Sequence, residues 1–170
     1  MRPLLLAATI LALPACADRN GSDGRLEAEW RGAERGAFAD RATATHCAES
    51  GIVMIEAIRA DSGIAMALYP ADSSVIAPGT FPVLPGSTPN PPRPVVLAGL
   101  RSFDALEVKG WEGYGGTVTI DTTGGVLSGS FELRLQVVNG SDTLALTGRL
   151  VAVPIVRDTA GCRIRLRRNY

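Results

Sequence analysis

The sequence predicts an all-β fold, an antiparallel β-sandwich of about nine or ten strands, with a small β-barrel as the alternative. Three observations carry the prediction. Short segments alternate apolar and polar residues with a period of two and are bounded by glycine, proline, serine and aspartate. Asn139-Gly140 joins two such segments, and this dipeptide is the strongest short-range hairpin signal. Seven prolines fall between Pro78 and Pro94, where no central strand could run unbroken because proline lacks the amide donor.

Taken in chain order, the first predicted strands are 26–31, 36–47, 52–59 and 64–69. Glu34-Arg35-Gly36 and Asp61-Ser62-Gly63 supply turn chemistry within the two pairs. A helix also fits 52–60 by periodicity, but its β-branched content and short bounds favour a strand. The proline-rich stretch 78–94 reads as a long exposed loop with a brief edge strand at 80–84. Three meandering strands follow at 116–121, 126–138 and 142–153, and a last one at 162–168 alternates Ile164 and Leu166 with Arg163, Arg165 and Arg167.

The pairing of the meander can be counted from its turns. About Asn139-Gly140, Leu135 falls opposite Leu144, Leu133 opposite Leu146, and Phe131 opposite Gly148. Gln136, Glu132 and Ser130 then meet Thr143, Thr147 and Arg149. A slip of one residue would turn every leucine to water, so the register specifies itself. About Gly124-Gly125, Thr122 falls opposite Leu127, Ile120 opposite Gly129, and Val118 opposite Phe131. Phe131 is thereby placed between Val118 and the bare backbone of Gly148.

At the other end of the chain, Arg2 precedes an apolar run from Leu4 to Leu13, and Leu13-Pro14-Ala15-Cys16 closes it. This run is too short for the ~20 apolar residues of a membrane span and has the three parts of a cleaved signal peptide. The segment resembles the lipobox of bacterial lipoprotein precursors, with Pro14 departing from the small or hydroxyl residue preferred there. The resemblance implies removal of residues 1–15, lipidation of Cys16, and attachment to a membrane through the acyl chains. No aspartate directly follows Cys16, which favours the outer membrane, with the domain in the periplasm or at the cell surface. The alternative is an ordinary secretory peptide with an unmodified cysteine. Residues 16–25 then read as the lipidated cysteine and a flexible tether reaching about 30 Å. A single domain occupies 26–170.

With Cys16 given to lipid, Cys47 and Cys162 form an even pair, and in an oxidising compartment an even pair reads as a disulfide. A free catalytic thiol at Cys47 beside His46 is the weaker reading, since neighbours in a strand point to opposite faces. Charge is balanced at 17 basic and 17 acidic residues, so nothing favours nucleic acid as a partner.

No nucleophile elbow, phosphate loop or His-Glu-x-x-His zinc motif is present in the sequence. The reading is therefore of a non-enzymatic binding or structural domain with no catalytic residue, metal or other cofactor, and with an envelope protein or glycan as partner. Asp121 and Asp142 stand beside glycine-rich turns, which suits turn stabilisation better than calcium. A hydrolytic carboxylate pair drawn from Glu107, Glu112 and Glu132 is a third reading. Two features suggest recognition surfaces. Trp111 and Tyr114 lie in the glycine-rich run 109–116, where they would stack on a sugar; the competing reading has Trp111 begin a strand and fill the core. The arginine row of 162–168, with Arg168, suits lipid phosphates or else a solvated face that deters aggregation.

Overall fold

The computed structural model describes residues 24–72, 76–103, 107–122 and 124–158. The expected signal peptide 1–15, Cys16, Cys162 and the predicted strand 162–168 lie outside these residues. Ten strands are described: β1 (Arg25–Gly32), β2 (Gly36–Arg41), β3 (Thr43–Cys47), β4 (Val53–Arg59), β5 (Ser62–Tyr69), β6 (Gly79–Leu84), β7 (Val95–Phe103), β8 (Val108–Thr122), β9 (Val126–Val137) and β10 (Thr143–Asp158). The fold is all-β, as expected, and the region 52–60 that also suited a helix is strand β4.

The strands form one mixed sheet, in which β3, β4, β5, β7, β8, β9 and β10 are hydrogen-bonded in a ring that returns to β3. Such bonding suits both a sandwich and a barrel-like description. Most pairs are antiparallel, but β10–β3 and β6–β7 are parallel. Inside the ring lie Leu26, Phe38, Ile55, Ile64, Met66, Leu68, Leu100, Phe131, Leu135 and Leu146, all buried. Burial alternates along each strand because successive side chains take opposite faces.

The meander has the expected register. Leu135 pairs with Leu144, Leu133 with Leu146 and Phe131 with Gly148, while Ile120 meets Gly129 and Val118 meets Phe131. A Cβ on Gly148 would strike the Phe131 ring and the Glu27 carbonyl, so the ring rests on bare backbone as predicted. Two details differ. The ladder ends at Val137, whose N–H donates to Asp142 O at 2.9 Å, so the connection has a four-residue loop rather than two. Asn139 takes φ 66°, as the third residue of a type II turn requires. At the other turn a bulge moves Thr122 opposite Ser128 instead of Leu127.

Four expectations need correction. The predicted strand 36–47 is two strands, because the chain leaves β1 at the buried Ala42, whose N–H donates to Gly24 O, and crosses to β4 and β10. Strand β6 is not an edge. Beyond the Gly99–Glu112 pair β7 and β8 part, and β6 fills the wedge, with Val83 beside Val96 on one side and Phe81 beside Val118 on the other. Strand β7 has no counterpart in the sequence reading. Finally, the glycine-rich run 109–116 is extended backbone within β8, not a loop. Its glycines allow close crossings: a Cβ on Gly113 would come within 2.9 Å of Val83 Cγ1, and Gly116 combines φ 112° with contact against the Glu132 carbonyl.

Strand β10 is the longest and binds three partners. Its first half lies between β9 and β1, and its last residues pair with β3. The change of partner is made at a bulge between Leu150 and Val153, where Ala152 adopts φ 47° and donates its N–H to Ser128 Oγ at 3.1 Å. A left-handed conformation costs an alanine about 1–2 kcal/mol, offset here by the bend that allows the second pairing. At the far end of the ring, Arg93 fastens two connections, donating to Ser50 O at 2.5 Å and Pro70 O at 3.3 Å while lying over the Tyr69 ring. Strand β2 pairs only with β1 among the described residues. Its Asp40 carboxylate accepts the Arg41 N–H at 2.7 Å and so covers one amide of that edge.

Candidate functional site

Strand geometry separates the two aromatic residues proposed to grip a ligand. Trp111 points inward and is 3% exposed, whereas Tyr114 points outward and is 40% exposed. The structure therefore does not bring them onto one surface. Tyr114 carries the Arg134 guanidinium over its ring, 5.5 Å from the centroid, a contact worth about 0.5–1 kcal/mol at an exposed site. The Trp111 Nε1–H is buried with no hydrogen-bond partner. An unsatisfied buried donor costs about 1–3 kcal/mol, so removing it offsets much of the volume lost in a smaller ring. We expect Trp111→Phe to change the unfolding free energy by less than about 1 kcal/mol in urea denaturation, against about 3–5 kcal/mol for Trp111→Ala. A loss above about 2 kcal/mol in the phenylalanine variant would mean that the indole N–H is satisfied.

The carboxylates stay apart. Glu112 pairs with Gln136 and Thr117 with Glu132, so Glu112 and Glu132 stand four residues apart along β9, about 13 Å. Glycosidic carboxyl pairs are separated by about 5–9.5 Å. Glu107 lies before β8 begins, another five residues along the chain from Glu112. Asp121 is the penultimate residue of β8, and Asp142 serves the turn through its carbonyl. Among the described residues no group of His, Cys, Asp and Glu is arranged to hold a metal ion.

His46 and Cys47, at the end of β3, are both buried. Cys47 starts the turn into β4, donating its N–H to Ile52 O at 2.8 Å and accepting from Gly51 N at 2.7 Å. Its Sγ lies 4.0 Å from the Thr45 carbonyl. Cys16, Cys162 and the arginines at 163, 165, 167 and 168 are outside the described residues.

A shallow groove of about 540 Å³ lies where β1, β2 and β10 run side by side. Its charged residues are mutually satisfied. Arg149 donates to the Glu27 carboxylate, the shortest N···O distance being 2.6 Å. The Arg59 guanidinium lies over Phe38 and holds Asp61 at 2.8 Å, and Ser62 Oγ also donates to that carboxylate. Hydrogen bonds from Arg59 and then Ser62 hold the Asp61 carboxyl below its usual range. A depressed carboxyl contributes stability above its unfolded pKa and loses it as pH falls through the folded value, so this clasp is intact at neutral pH and releases only in acid. Comparison with known protein families, curated proteins and solved structures finds no match to this chain.

Proposed function

We propose that the chain is a lipid-anchored protein of the bacterial envelope, held at the outer membrane by acylated Cys16, whose β-domain binds or supports another envelope component without catalysis. The observation that carries this reading is the segment 1–16, with Arg2, the apolar run and Leu13-Pro14-Ala15-Cys16 in the order that lipoprotein processing requires. The start of β1 at Arg25 supports it. Residues 17–24 between the lipid site and the first strand are polar and glycine-containing, a composition suited to a tether.

The same reading assigns Cys47 and Cys162 to one disulfide. One observation supports the pairing. Strand β10 brings Asp158 beside Cys47, and Asp158 O accepts the Ala48 N–H at 3.2 Å. Cys162 follows four residues later in the sequence, within a reach of about 13 Å.

The anchor is tested by expressing the full chain with an alkyne-bearing fatty acid and detecting the label by gel and mass spectrometry. Label on Cys16, with loss of residues 1–15 and loss of membrane fractionation in Cys16→Ala, is the expected result. An unlabelled chain, cleaved or not, would sink the reading.

A further inference from the structure

Strands β4, β5, β7 and β8 place Ile58, Gly63, Arg101 and Gly110 in one cross-strand row, and the row is extended by Val138, whose N–H donates to Gly110 O at 2.8 Å. The row lies on the outer face: Ile58 is 71% and Val138 45% exposed, and Arg101 is exposed. Two residues further along, Phe103 pairs with Val108, both exposed. Arg101 thus stands between two glycines, with Ile58 and Val138 one strand beyond them and Phe103 and Val108 two residues along. Scattered exposed apolar residues mean little, but an arginine with apolar side chains in several directions has the composition of a recognition surface.

Two further observations set this patch apart. Arg101 has no hydrogen bond, ion pair or ring contact among the described residues, unlike Arg59, Arg93, Arg134 and Arg149. The flanking glycines are also not required by packing. A Cβ on Gly63 would meet nothing closer than 3.6 Å and one on Gly110 nothing closer than 3.5 Å, and neither residue has a positive φ. Their effect is to leave a trough on each side of the arginine. Glu56 and Glu112 stand two residues down their strands from the row, about 6.6 Å along, with the Glu112 carboxyl toward Gly86, and Asp61, whose carbonyl accepts the Phe103 N–H, has its carboxylate held by Arg59 and Ser62.

We propose that this patch docks a partner protein through a segment presenting a carboxylate flanked by apolar side chains, the carboxylate pairing with Arg101 and its neighbours entering the troughs over Gly63 and Gly110. Charge complementarity selects that partner: an unpaired guanidinium amid apolar surface favours an anion that brings its own apolar cover. The assignment of this surface to a partner rests on the proposed binding function.

The test uses the full chain, carbon-13 labelled at isoleucine and valine methyls, in lipid nanodiscs or, if it carries no lipid, in solution. The probes are acetyl-Leu-Glu-Leu-amide and its Gln and Lys counterparts. The Glu peptide is expected to shift the methyls of Ile58, Val108 and Val138 with an affinity about tenfold above the Gln peptide, and the Lys peptide to give no saturating response. Arg101→Glu should reverse the order, and the double variant Gly63→Ala, Gly110→Ala should weaken binding while leaving the buried Val53, Ile55 and Ile64 methyls in place. Equal response to the three peptides, or shifts on another face, would overturn the proposal. So would concentration-dependent shifts of the same methyls without peptide, which would give the patch to a second copy. Entry into nanodiscs reports on the anchor separately, so the two readings fail independently.

Discussion

Replacing Phe131 by alanine is expected to lower the unfolding free energy by about 3–5 kcal/mol, measured by urea denaturation. The side chain is 2% exposed, sits between Val118 of β8 and Gly148 of β10, and rests on backbone that no side chain can move to cover. The cavity left by truncation is floored by glycine, so collapse around it is limited and the cost falls toward the upper part of the range. Against a typical stability of about 5–15 kcal/mol the variant keeps a folded state only with a reduced margin. A loss below about 1 kcal/mol would mean that the ring is not close-packed on Gly148.

Loss of the proposed Cys47 to Cys162 bridge is the other large effect. The loop it closes exceeds 100 residues, and the chain-entropy account values such a closure at about 4–5 kcal/mol, with measured losses of about 2–5 kcal/mol in small secreted domains. For a domain of this size each kcal/mol moves the melting temperature by about 2–4 °C. Cys162→Ser should therefore melt roughly 5–15 °C below the parent in oxidising buffer and at the same temperature as the parent in strong reductant. Mobility on non-reducing gels should change for the parent alone. Free-thiol labelling of both cysteines in the exported protein would refute the bridge.

Much of the meander was legible because two independent signals agreed there. Leu133, Leu135, Leu144 and Leu146 can all turn inward in only one register, and Asn139-Gly140 supplies that register from the turn. Strand β7 sent no such signal. Its start, Val95-Val96-Leu97-Ala98, is a continuous apolar run directly after the prolines, with no alternation to read and no turn residue to mark its beginning. Strand β6 misled for a related reason. Pro82 suggests an edge, yet β6 pairs on both sides over only part of its length, so a proline is accommodated beside Thr117. In the run 109–116 the reading that puts Trp111 in a strand and in the core holds, whereas the loop reading failed on the double meaning of glycine, which permits a loop but equally permits two backbones to cross closely. The row through Arg101 was not legible at all. It is assembled from four strands and one loop residue, and apart from Ile58 and Gly63, which share the β4–β5 hairpin, its members come from separate stretches of sequence.

The three partnerships of β10 also set an order of events. Until residues 143–158 have been made, β1 and β3 lack their neighbour and β9 has one side open, so the nascent chain presents separate hairpins rather than a closed ring. Contacts between strands far apart in sequence form slowly, and here the decisive ones are those of the final described strand with β1 and β3. The ring therefore stays open, unable to close on itself, until residues 143–158 have been synthesised.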